Sequence, residues 1–113
     1  MRFGKSALVP AEGDEIKKTR TAVVMSADSI GRLRLKIVVP ITEWNPAFAR
    51  HSWFVRLAPS PSNGLTKESG ADAFQVKSVS ETRFITKLGL LSASDLDDIA
   101  RAVALCVRAP KEP

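Results

Sequence analysis

Arg20-Thr21-Ala22-Val23-Val24-Met25-Ser26-Ala27-Asp28-Ser29-Ile30-Gly31-Arg32-Leu33-Arg34-Leu35-Lys36-Ile37-Val38-Val39-Pro40-Ile41-Thr42 carries two apolar runs around a polar link. Ala22–Met25 and Leu35–Val39 are rich in β-branched residues, and Ser26–Arg32 holds turn formers. Runs bounded in this way read as two strands of a hairpin. A turn centred near Gly31 sets Arg20 opposite Thr42. A cation and a hydroxyl then meet at the open end of a stiff ribbon. A slip of one residue would send either side chain to the other face, so this register is the central structural expectation.

Working outward, the chain of 113 residues has the size of one compact domain, taken here as 1–113. Its apolar fraction of 44% is enough for one core. No apolar run reaches the ~18 residues needed to cross a bilayer. The apolar part of Met1–Pro10 is too short for a signal peptide. The single cysteine, Cys106, excludes an internal disulfide and fits a reducing, cytoplasmic setting. A net charge of +5 favours a polyanionic partner such as nucleic acid, although a basic surface can serve solubility alone.

Met1–Lys5 reads as disordered, Ser6–Val9 as a short strand, and Pro10–Glu15 as a loop. Downstream, Ser52–Leu57, Ala71–Val79 and Arg83–Leu90 read as strand regions. In the second of these, alternation puts Ala73, Gln75 and Lys77 on one face and Phe74, Val76 and Ser78 on the other. A helix follows. Ser92 can cap it, with Asp95 three residues on, and Asp97 and Asp98 also suit the positive end of its dipole. Leu96, Ile99, Ala100, Val103 and Val107 recur at helical spacing. Short strands followed by one helix indicate a mainly β domain, a small barrel or sheet with a packed C-terminal helix.

Several chemistries are disfavoured. One His and one Cys, far apart, make no zinc site. The aspartates near residue 97 are explained by the first turn of a helix better than by magnesium. There is no Gly-rich phosphate loop and no nucleophile elbow. Cys106, beside Leu105 and Val107, reads as a small apolar group, and His51 as an ordinary surface histidine. What remains suits RNA. Lys17, Lys18, Arg20, Arg50 and Lys77 can meet phosphates, Trp44 and Phe48 can stack on unpaired bases, and Gln75 can read a base edge. RNA supplies its own nucleophile, the 2′-hydroxyl, so a protein can cleave it without metal or cofactor by orienting the phosphate and stabilising its added charge. A guanidinium does the second task well but is a poor proton carrier. Arg20 is therefore assigned electrostatic stabilisation and Thr42 a hydrogen bond to the scissile phosphate. The proton carriers stay unassigned.

The same residues resemble the MazF/PemK toxins. Glu15-Ile16-Lys17-Lys18-Thr19-Arg20-Thr21-Ala22-Val23-Val24-Met25-Ser26 is similar to their Gly-Ser-Glu…Arg-Pro-Val-Val-Val-Ile-Ser segment, and Val39-Pro40-Ile41-Thr42 to their next strand end. Asn63–Ser69 and Phe74–Val79 resemble their Gly-Leu…Ser and Asp-Gln-Ile-Arg-Thr-Val segments, and Lys87–Ile99 matches in order and spacing. The likeness runs from about Gly13 to Val107, and Met1–Glu12 matches poorly. It implies an SH3-like small barrel of the PemK/CcdB type, a homodimer, and sequence-specific cleavage of single-stranded mRNA to a 2′,3′-cyclic phosphate without metal. It also implies a MazE-like antitoxin covering the RNA groove. The family's catalytic positions fall on Arg20 and Thr42; Glu15, Ser26 and Gln75 fall in regions framing the RNA. Lys17, Lys18, Trp44 and Lys77 complete the expected RNA contacts. The family's Pro after the Arg is Thr21 here, its acidic residue before the Gln is Phe74, and an Arg used by some members is Asp72. These departures put the weight on Arg20 and Thr42. Rival readings are an inactive relative that binds antitoxin or RNA, and a gyrase poison of the same fold.

Overall fold

The computed structural model describes residues 7–12, 19–26 and 34–110. Glu15, Lys17, Lys18, the turn at Gly31 and the expected disorder of Met1–Lys5 lie outside these residues. Seven strands form one antiparallel sheet: β1 (Ala7–Glu12), β2 (Thr19–Val24), β3 (Leu35–Glu43), β4 (Phe54–Leu57), β5 (Ser69–Asp72), β6 (Lys77–Ser80) and β7 (Gly89–Leu90). Their order is β4-β5-β3-β2-β1-β7, and β6 pairs with β3 as well. Among the described residues one α-helix, α1 (Ala93–Cys106), follows the sheet. The expectation of a mainly β domain with a C-terminal helix is met.

β3 organises the sheet. Ala22, Val23 and Val24 pair with Pro40, Val39 and Val38, a register symmetric about position 31 as the hairpin reading requires. The Met25 N–H donates to the Ile37 carbonyl, and the Ile37 N–H donates to Ser26 Oγ. Odd-numbered residues of β3 thus bond toward β2. Even-numbered ones bond the other way, as the Trp44 N–H donating to the Glu68 carbonyl shows. Pro40 has no N–H to offer on that second side. There the partner strand is interrupted: Ile41 pairs with Ala71 of β5, Val38 pairs with Lys77 of β6, and a 3₁₀ turn at Ala73–Gln75 lies between.

That turn corrects the expected continuous strand over Ala71–Val79. Asp72 starts it by accepting the Phe74 N–H at 3.2 Å, a local bond that competes with the ladder. Ala73 is buried while Gln75 and Lys77 are exposed, so the expected shared face does not form. Three other expectations are revised. The first strand runs on through Pro10 to Glu12, where β1 has lost its β7 partner and needs no second donor. Strand β4 starts at Phe54 rather than Ser52. Most of Arg83–Leu90 is not strand; a 3₁₀ turn at Glu81–Arg83 precedes the two-residue β7.

Alternation gives the sheet two apolar faces. Val23, Val39, Ile41, Leu57 and Ala71 form the main core with Leu91 and Ile99. Ala22, Val24, Val38 and Val79 form a smaller cluster on the other face, with Phe84 against it. Helix α1 crosses β4 and the Ala73–Gln75 turn. Ser92 Oγ accepts the Asp95 N–H at 3.1 Å, the expected cap. Ala102, not Ala100, is the buried alanine of the helix. Burial raises the Cys106 thiol above its ordinary range, and the charge of Asp72 adds to this.

Ile99 is fully buried beneath the sheet. Ile99→Ala should lower unfolding free energy by about 2–5 kcal/mol, read from the urea midpoint. Because the raised thiol leaves less thiolate at a given pH, iodoacetamide should label Cys106 at pH 8 more slowly in the native protein than in urea.

Candidate nucleic-acid interface and active site

Pairing between β2 and β3 ends at Ala22–Pro40. Past that point β3 continues with β5 instead, Thr42 opposite Gly70 and Glu43 opposite Ser69. β2 continues with β1, Arg20 opposite Ala11. Carried two residues on, the β2–β3 register sets Arg20 opposite Thr42. By the alternation of the ladder, Glu43 turns its backbone N–H and C=O groups toward the β2 side, past the last β2–β3 pair. A cleft of about 330 Å³ lies there, with Thr21 on one wall, Ile41, Thr42 and Glu43 on another, and Gly64, Leu65, Thr66, Lys67, Ser69 and Leu88 closing it.

The third wall is fixed by a buried asparagine. Asn63 Oδ1 accepts the N–H groups of Ser60 and Leu65 at 3.0 and 2.9 Å, and Nδ2 donates to the Ala58 carbonyl at 2.9 Å. Gly64 follows in the left-handed region at φ 74°, and a Cβ there would run into the Leu88 carbonyl. The Leu90 N–H bonds the Ser62 carbonyl at 2.8 Å, tying this loop to β7.

Beyond Thr42 the outer face is aromatic. Phe48 stacks flat on Phe54 with centroids 4.0 Å apart, and Trp44 meets Phe48 edge-on at 5.6 Å. Gly70 makes room for these rings; a Cβ there would touch Trp44 and Phe48. The Arg56 guanidinium lies 5.2 Å from the Trp44 ring centre and forks onto Glu68. Its hydrogen bonds hold the Glu68 carboxyl below the usual carboxylate range. Phe48 is therefore packing, with its ring face taken, and one face of Trp44 is partnered by Arg56. His51 stacks on Trp53 at 4.5 Å, outside the cleft lining.

The expected site residues are partly gathered. Arg20 is exposed and precedes Thr21, which lines the cleft together with Thr42. Trp44 lies two residues from Thr42. Gln75 is exposed, its Nε2 donating to Asp72 Oδ2 at 2.9 Å. Lys77 is exposed opposite Val38, about 13 Å along β3 from Thr42 by strand rise. Ser26 is not part of the gathering. It clips the far end of the hairpin, about 20 Å along β2 from Arg20. The sequence reading passes over Glu43 and Lys67, which both line the cleft. The neighbour relation of Thr42 and Glu43 was the available signal. Among the described residues no group of three His, Cys, Asp or Glu side chains could hold a metal ion, and no helix is long and apolar enough to cross a membrane.

Known proteins share this fold. The profile of the PemK-like, MazF-like toxins of type II toxin–antitoxin systems matches residues 6–107, which carries the likeness through β1. Endoribonuclease MazF9 of Mycobacterium tuberculosis is 30% identical over 104 residues, covering 87% of this chain and 86% of that protein. Among solved structures, M. tuberculosis toxin MazF-mt6 superposes with a TM-score of 0.76 at 19% identity, covering 93% of this chain and 99% of that one. MazF of a MazE–MazF structure from Deinococcus radiodurans gives 0.72 at 18% identity, covering 93% and 95%. The mainly β architecture with its C-terminal helix is that of the MazF toxins. With the profile spanning nearly the whole described chain, the protein belongs to the PemK-like, MazF-like toxin family of type II toxin–antitoxin systems.

Proposed function

We propose that the protein is an endoribonuclease toxin that cuts single-stranded mRNA at a preferred sequence, without metal, leaving a 2′,3′-cyclic phosphate and a 5′-hydroxyl. The observation that carries this reading is the β2–β3 register, which on continuation sets Arg20 opposite Thr42 where the ladder opens into a cleft. A phosphodiester lying across that opening meets the Arg20 guanidinium on one side and the Thr42 hydroxyl on the other. Arg20 offsets the extra negative charge of the pentacoordinate phosphate, and Thr42 hydrogen-bonds one of its oxygens. Gln75, Trp44 and Lys77 contact flanking nucleotides, as do Glu15, Lys17 and Lys18 preceding β2. The ribonuclease name of the relative MazF9 agrees with this assignment.

The partners follow the same reading. A MazE-like antitoxin covers the cleft, as cognate antitoxins accompany similar toxins in solved structures. A second copy of the chain covers Leu35 and Ile37, which share the main-core face of β3 yet are 56% and 42% exposed. The working compartment is the cytoplasm, where mRNA is found.

Cleavage of a long unstructured RNA in EDTA should proceed at the rate seen with magnesium. Arg20→Ala should slow it by roughly 100- to 1000-fold, and Arg20→Lys should restore only part, because an ammonium lacks the planar fork. Equal rates for wild type and Arg20→Ala would exclude the assigned role. Inhibition of DNA supercoiling with no RNA cut would favour the gyrase reading. Ile37→Asp should shift the protein to a monomer in light scattering, and an unchanged mass would exclude that surface from the dimer.

A further inference from the structure

The cleft contains two charges that the function above leaves idle. Lys67 Nζ lies 3.6 Å from Glu43 Oε2, and both residues line the cavity next to Thr42. Their meeting follows from the β3–β5 register. Glu43 pairs with Ser69, and the Trp44–Glu68 bond extends the ladder by one step. Lys67 is then the diagonal neighbour of Glu43 on the same face. Its backbone is held on both sides: Ser69 Oγ donates to the Lys67 carbonyl at 3.0 Å, and Glu68 is gripped by Arg56. The side chains themselves are 65% and 69% exposed, so a substrate entering the cleft reaches both. Among the described residues lining the cleft, Glu43 is the one carboxylate and Lys67 the one ammonium.

We propose that Glu43 and Lys67 are the general base and general acid of the cleavage, an inference that rests on the ribonuclease reading. The Glu43 carboxylate takes the proton of the ribose 2′-hydroxyl as the O2′–P bond forms. The Lys67 ammonium gives a proton to the 5′-oxygen as the P–O5′ bond breaks. The products are a cyclic phosphate, a free 5′-hydroxyl, a protonated Glu43 and a neutral Lys67. One proton passed from Glu43 to Lys67 restores the starting pair, so nothing is consumed. A carboxylate only accepts and an ammonium only donates, so the roles are not interchangeable. The resting ion pair opens as the phosphate enters, each member keeping one apical oxygen. The Glu43 N–H, turned toward the cleft past the end of the β2 ladder, is placed to bond a non-bridging oxygen. Positioned acids and bases each contribute about 100- to 10,000-fold.

The test uses the full-length protein and one RNA carrying its cut site, made with either the ordinary 5′-oxygen or a sulfur at that bridging position. A thiolate leaves without a proton. Lys67→Ala should cut the ordinary RNA at least about 100-fold more slowly and the 5′-thio RNA within a few-fold of wild type. Glu43→Gln should be slow on both, since the proton of the 2′-hydroxyl must be removed whatever the leaving group. The proposal is overturned if Lys67→Ala loses the same factor on both RNAs, or if either variant cuts at the wild-type rate. Wild type that cuts neither RNA would defeat the ribonuclease reading, and the proposal with it. Thermal midpoints of both variants near wild type separate these results from misfolding.

Discussion

Pro40 has no backbone donor, and β3 is built so that the gap falls where β5 gives way to β6. On that side the 3₁₀ turn at Ala73–Gln75 occupies the break. On the other side the ladder to β2 stops at the same residue. One strand therefore serves two partnerships. Its first half is held between β2 and β6, and its last three residues lean on β5 alone. The cleft is what the change of partners leaves behind. A residue able to donate at position 40 would favour one continuous partner strand on the β5–β6 side, in place of the break that the 3₁₀ turn occupies.

The site is held from behind rather than by its own contacts. Gly70 lets Trp44 and Phe48 lie against the strand, Arg56 rests on Trp44, and the same Arg56 grips Glu68 next to Lys67. Asn63 and Gly64 set the opposite wall. Arg20, Thr42 and Glu43 stay exposed at the rim. Such a division would suit the charged, flexible polymer of the proposed function, with packed walls behind and the rim groups left in water.

The hairpin register was legible in the sequence because its signal is local: two β-branched runs with polar residues between them admit few pairings. The capped helix was legible for the same reason, through Ser92 and Asp95. Residues 71–79 were misread because their alternation is genuine as a pattern, while the carboxylate of Asp72 diverts the backbone into a turn. The extent of β1 was missed because Pro10 normally argues against a strand, and only the absence of a β7 partner at that point makes it harmless. The likeness of Gly13–Val107 to the toxin family supplied what local signals cannot, the grouping of distant segments around one opening. The Glu43–Lys67 pair stayed hidden because the two lie 24 positions apart in sequence and meet only as diagonal neighbours across strands.

Ser26 has a consequence of a different kind. Its hydroxyl accepts the Ile37 N–H at the end of β2, so the ribbon is fastened at Ser26 and Ile37 before the connecting segment begins. Changes in the number of residues joining them need not alter how the two strands are matched. Ser26, about 20 Å by strand rise from Arg20, thus marks where an inserted tag or fluorophore-bearing peptide would leave the pairing of the two strands as it is.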